Sequence, residues 1–196
     1  RDERSSRGLG DVYKRQMRSL RVIYGRCLVL LALLLSASAF ADNFEQSVKT
    51  LSQGSYSKKT KAVMAITEID DERVLPTLQA MAEGKLYEAK NGGDILSQEG
   101  KQYRSVVSGE MTELTSGAVK KVKINNRLRG ALRTAIASLQ INAKDIAVRK
   151  SAAQDLIKSP DEDLRPIIFE AYKKEEVASV KELMAVALAT IDISSD

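Results

Sequence analysis

Two stretches 90 residues apart repeat one plan, and this repetition constrains the fold more than any other feature of the chain. Lys61 to Ile66 (KAVMAI) leads into Asp70 to Leu78 (DDERVLPTL), and Ser151 to Leu156 (SAAQDL) leads into Pro160 to Ile168 (PDEDLRPII). Each reads as an alanine-rich amphipathic helix, an acidic turn, and a second helix with proline near its start. Proline is tolerated there because the first amides of a helix have no internal acceptor. Asp71 and Asp161 stand where a carboxylate can accept from such amides.

A third echo lies 32 residues further on, where Val148 to Leu156 (VRKSAAQDL) is matched by Val180 to Leu188 (VKELMAVAL). Spacings of about 30–47 residues per helix pair are those of helical-repeat arrays. Alanine on the inner helices lets neighbouring units approach closely, while Val, Leu and Ile fill the shared core. The expected fold class is therefore mainly α, a short HEAT-like helical-repeat array. Periodicity predicts helices over 43–52, 57–69, 72–83, 126–140, 145–158, 161–173 and 177–192. Phe44, Val48 and Leu51 share one face of the first, and Leu128, Leu132, Ile136 and Leu139 one face of the fourth. Asn125 or Asn126 stands at the N-cap position of that fourth helix.

Between Gly84 and Asn125 the helical period stops. Glycine turns at Gly92, Gly93 and Gly100 separate short runs, and Val119 to Ile124 (VKKVKI) alternates apolar with polar residues. This pattern predicts a small antiparallel β insertion, at about 85–124, of about four strands. An insertion in one loop of a repeat protein projects from one face, often the binding face.

Chemistry is narrowed by what is missing. The chain has no histidine, and its one cysteine, Cys27, precedes Ala41. Ser-His and Cys-His catalysis and nearly all zinc chemistry are thereby removed. The acidic clusters at 70–72 and 161–163 lack the glycine-punctuated spacing of a calcium loop, so no metal site, cofactor or catalytic residue is expected. An enzyme of another kind would need a cleft-forming constellation, and the spacing promotes none. The formal charge of +5 is also misleading, because residues 1–41 hold 8 of the 31 Lys+Arg and 3 of the 26 Asp+Glu, leaving 23 of each for residues 42–196. The lysine clusters Lys58-Lys59-Lys61 and Lys120-Lys121-Lys123 accordingly read as solvated faces, with no nucleic-acid partner expected.

Residues 17–41 have the layout of a secretory signal peptide: Arg18, Arg21 and Arg26, then the apolar run Cys27 to Leu35, then Ala39-Phe40-Ala41. Signal peptidase is expected to recognise Ala39 and Ala41 and to cut after Ala41. The apolar core is about half the roughly 20 residues a membrane-spanning helix requires. Residues 1–16 resemble translated adaptor sequence and are set aside as non-native. Residues 42–196 then form a single exported domain, expected in the bacterial periplasm.

Taken together, the signal, the HEAT-like helices, Gly84-Lys85-Leu86-Tyr87, the run Val122 to Leu132 (VKINNRLRGAL) and Lys158-Ser159-Pro160-Asp161 form a familiar order of parts. It resembles the N-terminal exported region of the urea ABC transporter permease family, within the branched-chain amino acid permease group. The resemblance implies a non-catalytic domain on the periplasmic side of the inner membrane, with the permease proper following residue 196. The partners it implies are the remainder of the permease, a second permease subunit and a periplasmic urea-binding protein. Membrane contact would come only through that following part. The candidate interaction surface is Tyr87, Tyr103, Asn125, Asn126, Arg127 and Arg129, with local structural roles as the competing reading. For the tyrosines these are cross-strand pairing or rest on the helices beneath. For the Asn-Arg run they are helix capping and anchoring of the insertion by Arg to a carboxylate. A free periplasmic HEAT-like scaffold with an unrelated partner is the alternative.

Overall fold

A computed structural model describes residues 43–194. The adaptor-like segment, the signal with Ala39 and Ala41, and the last two residues lie outside the described residues. The described part is a helical array carrying a five-stranded antiparallel sheet in one loop.

Helix α1 (43–53) buries Phe44, Val48 and Leu51 completely, as its i, i+4, i+7 pattern requires. Ser55 then caps α2 (Tyr56–Ile66), accepting from the Lys58 amide at 3.4 Å. The buried stripe of α2 is Lys59, Ala62, Val63 and Ile66, so a lysine occupies a core-facing position. Asp71 orders the next turn by accepting from the Arg73 amide at 2.9 Å, and α3 (Val74–Ala82) follows with Pro76 in its first turn. Gly84, at φ +69°, closes α3. Its amide donates to the Met81 carbonyl and that of Lys85 to the Ala80 carbonyl, the paired C-terminal closure that favours glycine.

The insertion runs β1 (Leu86–Ala89), β2 (Ile95–Glu99), β3 (Gln102–Ser105), β4 (Met111–Thr112) and β5 (Val119–Lys121). Its order is β4-β3-β2-β1-β5, a meander whose last strand returns to pair with the first. Four of these strands match the glycine-bounded runs of the sequence, and β4 is the addition. It is two residues long, pairing Tyr103 with Thr112 and Arg104 with Met111, too short to show alternation. One face of the sheet sends Leu86 and Ile95 into the core under α1–α4. The other holds a separate cluster of Leu96, Tyr103 and Val119, flanked by Tyr87, Ala89 and Leu114.

After the sheet, α4 (Asn126–Ile141), α5 (Ile146–Lys158), α6 (Arg165–Lys174) and α7 (Ala178–Ser194) complete the array, a short 3-10 turn at Glu162–Leu164 preceding α6. Helix α4 belongs to both of the larger cores. Leu128, Leu132 and Ala135 complete the core with α1–α3, whereas Ala137 and Ile141 join Ala152, Ala153, Ile168, Met184 and Ile191 in the second. Helices α2, α4, α5 and α7 touch in succession, and α5 lies closely along α7. The predicted helices thus all form, with ends shifted by a few residues. The largest shift is at α6, predicted from 161: Asp161 caps a 3-10 turn over Glu162–Leu164, accepting from the Asp163 amide at 3.1 Å, and the α-helix begins at Arg165.

Candidate functional site

Among the six residues of the candidate surface, Tyr87 and Tyr103 meet as an edge-to-face pair, centroids 5.4 Å apart at 80°. They come from β1 and β3 and face each other across β2, where Gln98 accepts from the Tyr87 hydroxyl at 3.0 Å. Tyr103 is 5% exposed. The pair does not rest on the helices: strand alternation turns both rings to the opposite face of the sheet, into its own small core. Buried this way, Tyr103 has little surface to offer a partner.

Asn125 is the N-cap of α4, its side-chain Oδ1 accepting from the Leu128 amide at 2.9 Å. Asn126 accepts from the Arg129 guanidinium at 3.3 Å on the exposed first turn. Arg127 and Arg129 are exposed, and among the described residues neither has a carboxylate partner. The arginine that anchors the insertion is a different one. Arg73 donates from Nη1 to the Val107 carbonyl at 2.5 Å while its Nε and Nη2 grip Asp71. Arg73, the residue just before α3, is the one within reach of the chain leading out of β3. Among the described residues no hydrogen bond or ion pair joins the tyrosines to the Asn125–Arg129 turn.

Arg129 instead lines a cleft at the seam between the two large cores. Successive positions along one side of α4, Arg129, Arg133, Ile136, Ala137 and Gln140, form one wall, and Ala152, Asp155 and Leu156 of α5 with its C-cap Ser159 form the other. These spacings place each set on a single helical face. Asp161 and Leu164 close one end, and the cleft encloses about 340 Å³. Its floor is aliphatic, with two arginines on the α4 side, Asp155 on the α5 side and Asp161 at the end. Arg133 Nε approaches Asp161 Oδ2 to 2.8 Å, an ion pair by distance. The geometry is not that of a hydrogen bond, and Oδ2, buried, has no hydrogen-bond donor. Sequence reasoning reached Arg129 but not the cleft, because Arg133 and Asp161 meet only when α4 and the 161–164 turn are packed together.

Among the described residues no group of three or more His, Cys, Asp or Glu is placed to hold a metal, and no helix is long and apolar enough to cross a membrane. No family model, curated protein or solved structure matches the chain.

Proposed function

We propose that the chain is a non-catalytic, exported interaction domain of a urea-type ABC transporter permease, which contacts the periplasmic solute-binding protein during urea or amide uptake. Support for the transporter comes from the order of parts in the sequence: a signal-like leader, HEAT-like helices, a β insertion and the Asn-Asn-Arg-Leu-Arg run. Support for a contact role comes from one observation, the α4–α5 cleft with an aliphatic floor, Arg129 and Arg133 on the α4 wall and Asp155 on the α5 wall. Such a cleft suits an extended polypeptide loop, whose apolar side chains fill the floor and whose charges find opposite signs on the walls.

The test is co-purification of the chain with the cognate solute-binding protein from the cell envelope, comparing wild type with the double variant Arg129→Glu, Arg133→Glu. Recovery by wild type and its loss in the variant is the expected result. If the binding protein is never recovered, even with the transporter assembled, the docking role fails. A reading frame that ends without membrane spans would favour the free periplasmic scaffold instead.

A further inference from the structure

One lysine of the first cluster, Lys59, meets the second lysine cluster in the fold. At the α1–α2 junction, beside β5 and the residues after it, a cleft of about 370 Å³ is lined by Lys59, Lys120, Lys121 and Lys123 together with Glu88 and Ser55. Four lysines and one carboxylate thus line the cleft, the Lys121 ammonium end lying beside Gly84 and the other three lysines remaining as candidate donors. Glu88 is itself engaged, accepting from the Gln53 amide at 2.8 Å. The N-terminus of the eleven-residue helix α2 opens on the same space and adds the positive end of its dipole.

Lys59 is the decisive residue. It is 5% exposed, sits in the apolar stripe of α2, and has one acceptor among the described residues, the Lys123 carbonyl at 3.4 Å. An ammonium group carries three donors, and leaving donors of a buried cation unmatched is costly. Burial pushes its pKa below the usual lysine value, Lys120 adds to that, and Glu88 only partly opposes it. A surface lysine could turn its head to water, but this one lines the cleft while buried and tied to the Lys123 carbonyl.

We propose that this cleft binds a phosphate group, with Lys59 as the buried donor and Lys120 and Lys123 closing over the anion from the β5 side. A compact, multiply charged oxyanion matches converging point-charge ammonium donors, the way lysine characteristically meets phosphate. The same group is offered by a soluble phosphate compound or by an anionic lipid headgroup, and the two sources can be separated experimentally.

Amide and lysine-side-chain NMR spectra of the intact chain would be recorded during titration with inorganic phosphate, with chloride at matched ionic strength as reference. Saturable shifts at Ser55, Lys59 and Lys123 that chloride does not reproduce are expected, and Lys59→Met should weaken binding at least tenfold. Lys120→Gln is the second variant, since an exposed strand position tolerates it, and it should weaken binding several-fold. Lys101→Met, on a remote turn, should change nothing. Flotation with vesicles of phosphatidylglycerol, against phosphatidylcholine alone, forms the other arm. Lysine-dependent flotation without a response to free phosphate assigns the lipid source, and the converse assigns the soluble one. Equal responses to phosphate and chloride without flotation, or binding indifferent to Lys59→Met and Lys120→Gln, overturn the proposal.

Discussion

The guanidinium carbon of Arg73 lies 4.3 Å from the centroid of the Phe44 ring, so one cation joins the first helix to the β insertion. Phe44 is fully buried, and Arg73 stacks on it while holding Asp71 and reaching the Val107 carbonyl. Stacking and a planar fork of donors are properties that lysine does not share.

Arg73→Ala should therefore lower unfolding stability by about 1–3 kcal/mol, the usual scale for lost hydrogen bonds to a charged group. The loss should be local in its dynamics. Hydrogen exchange at the amides of Ser105, Ser108 and Gly109, which close the β3–β4 turn, should accelerate more than exchange in α5 and α7. Arg73→Lys should recover little. Uniform acceleration across the chain would show that Arg73 does not act as the local tie.

Gly84→Ala should destabilise by about 1–2 kcal/mol, because the left-handed conformation at φ +69° brings Cβ against backbone. The Lys121 side-chain tip, 2.9 Å from the position of the new methyl, can swing away, so the backbone conformation sets the cost. Chemical denaturation read at helix and sheet probes would measure it. A neutral substitution would mean that the α3-to-β1 turn has relaxed into another closure.

How much of this was legible in the sequence follows from the range of each signal. Phe44, Val48 and Leu51 announce their face by spacing alone, and all three are fully buried. Asn125 is named by its place before an apolar-periodic run, and it caps α4. These are local rules, decided within one or two turns of chain. Lys59 shows the limit: beside Lys58 and Lys61 it reads as surface, yet position 59 completes the stripe with Ala62, Val63 and Ile66. The carbonyl of Lys123, 64 residues away, then accepts from it. The Arg133–Asp161 approach and the cleft around it depend likewise on packing between distant segments, for which a single sequence carries no signal.

Acid should weaken the second core through Glu175, one of the few buried charged residues. Arg149 of α5 donates to it from Nε at 2.6 Å and Nη2 at 3.1 Å, and the Val177 amide donates at 2.8 Å. The Arg149 bonds foremost, aided by backbone amides, hold the Glu175 carboxyl below the usual glutamate range against the opposing effect of burial. Asp71 is depressed in the same sense by Arg73. A carboxyl with a lowered folded-state pKa stabilises fully above its unfolded value, about 4.3 for glutamate, and that contribution disappears as pH falls through the folded value. Urea midpoints should thus fall between pH 6 and about pH 3, and Glu175→Gln should start lower at pH 6 and lose less on acidification. Parallel pH curves for variant and wild type would count against this linkage.

The alanines between α5 and α7 make the most direct test of the array. Ala153 and Ala187 are fully buried and Ala152 nearly so, on helices that lie closely along each other. Side chains this short set the distance between helices, and the surrounding Leu156, Val180, Met184 and Ile191 fill the space that remains. Enlarging one of them leaves no volume to occupy, since interiors are packed near crystal density. Ala153→Leu should cost about 1–3 kcal/mol by overpacking, even though it adds apolar surface. Leu132→Ala, in the first core, should cost about 2–5 kcal/mol through the cavity it leaves. The two substitutions push side-chain volume in opposite directions, so destabilisation by both is the signature of a core fitted on each side of α4. A stabilising or silent Ala153→Leu, measured by urea denaturation, would show that α5 and α7 are not held at alanine distance.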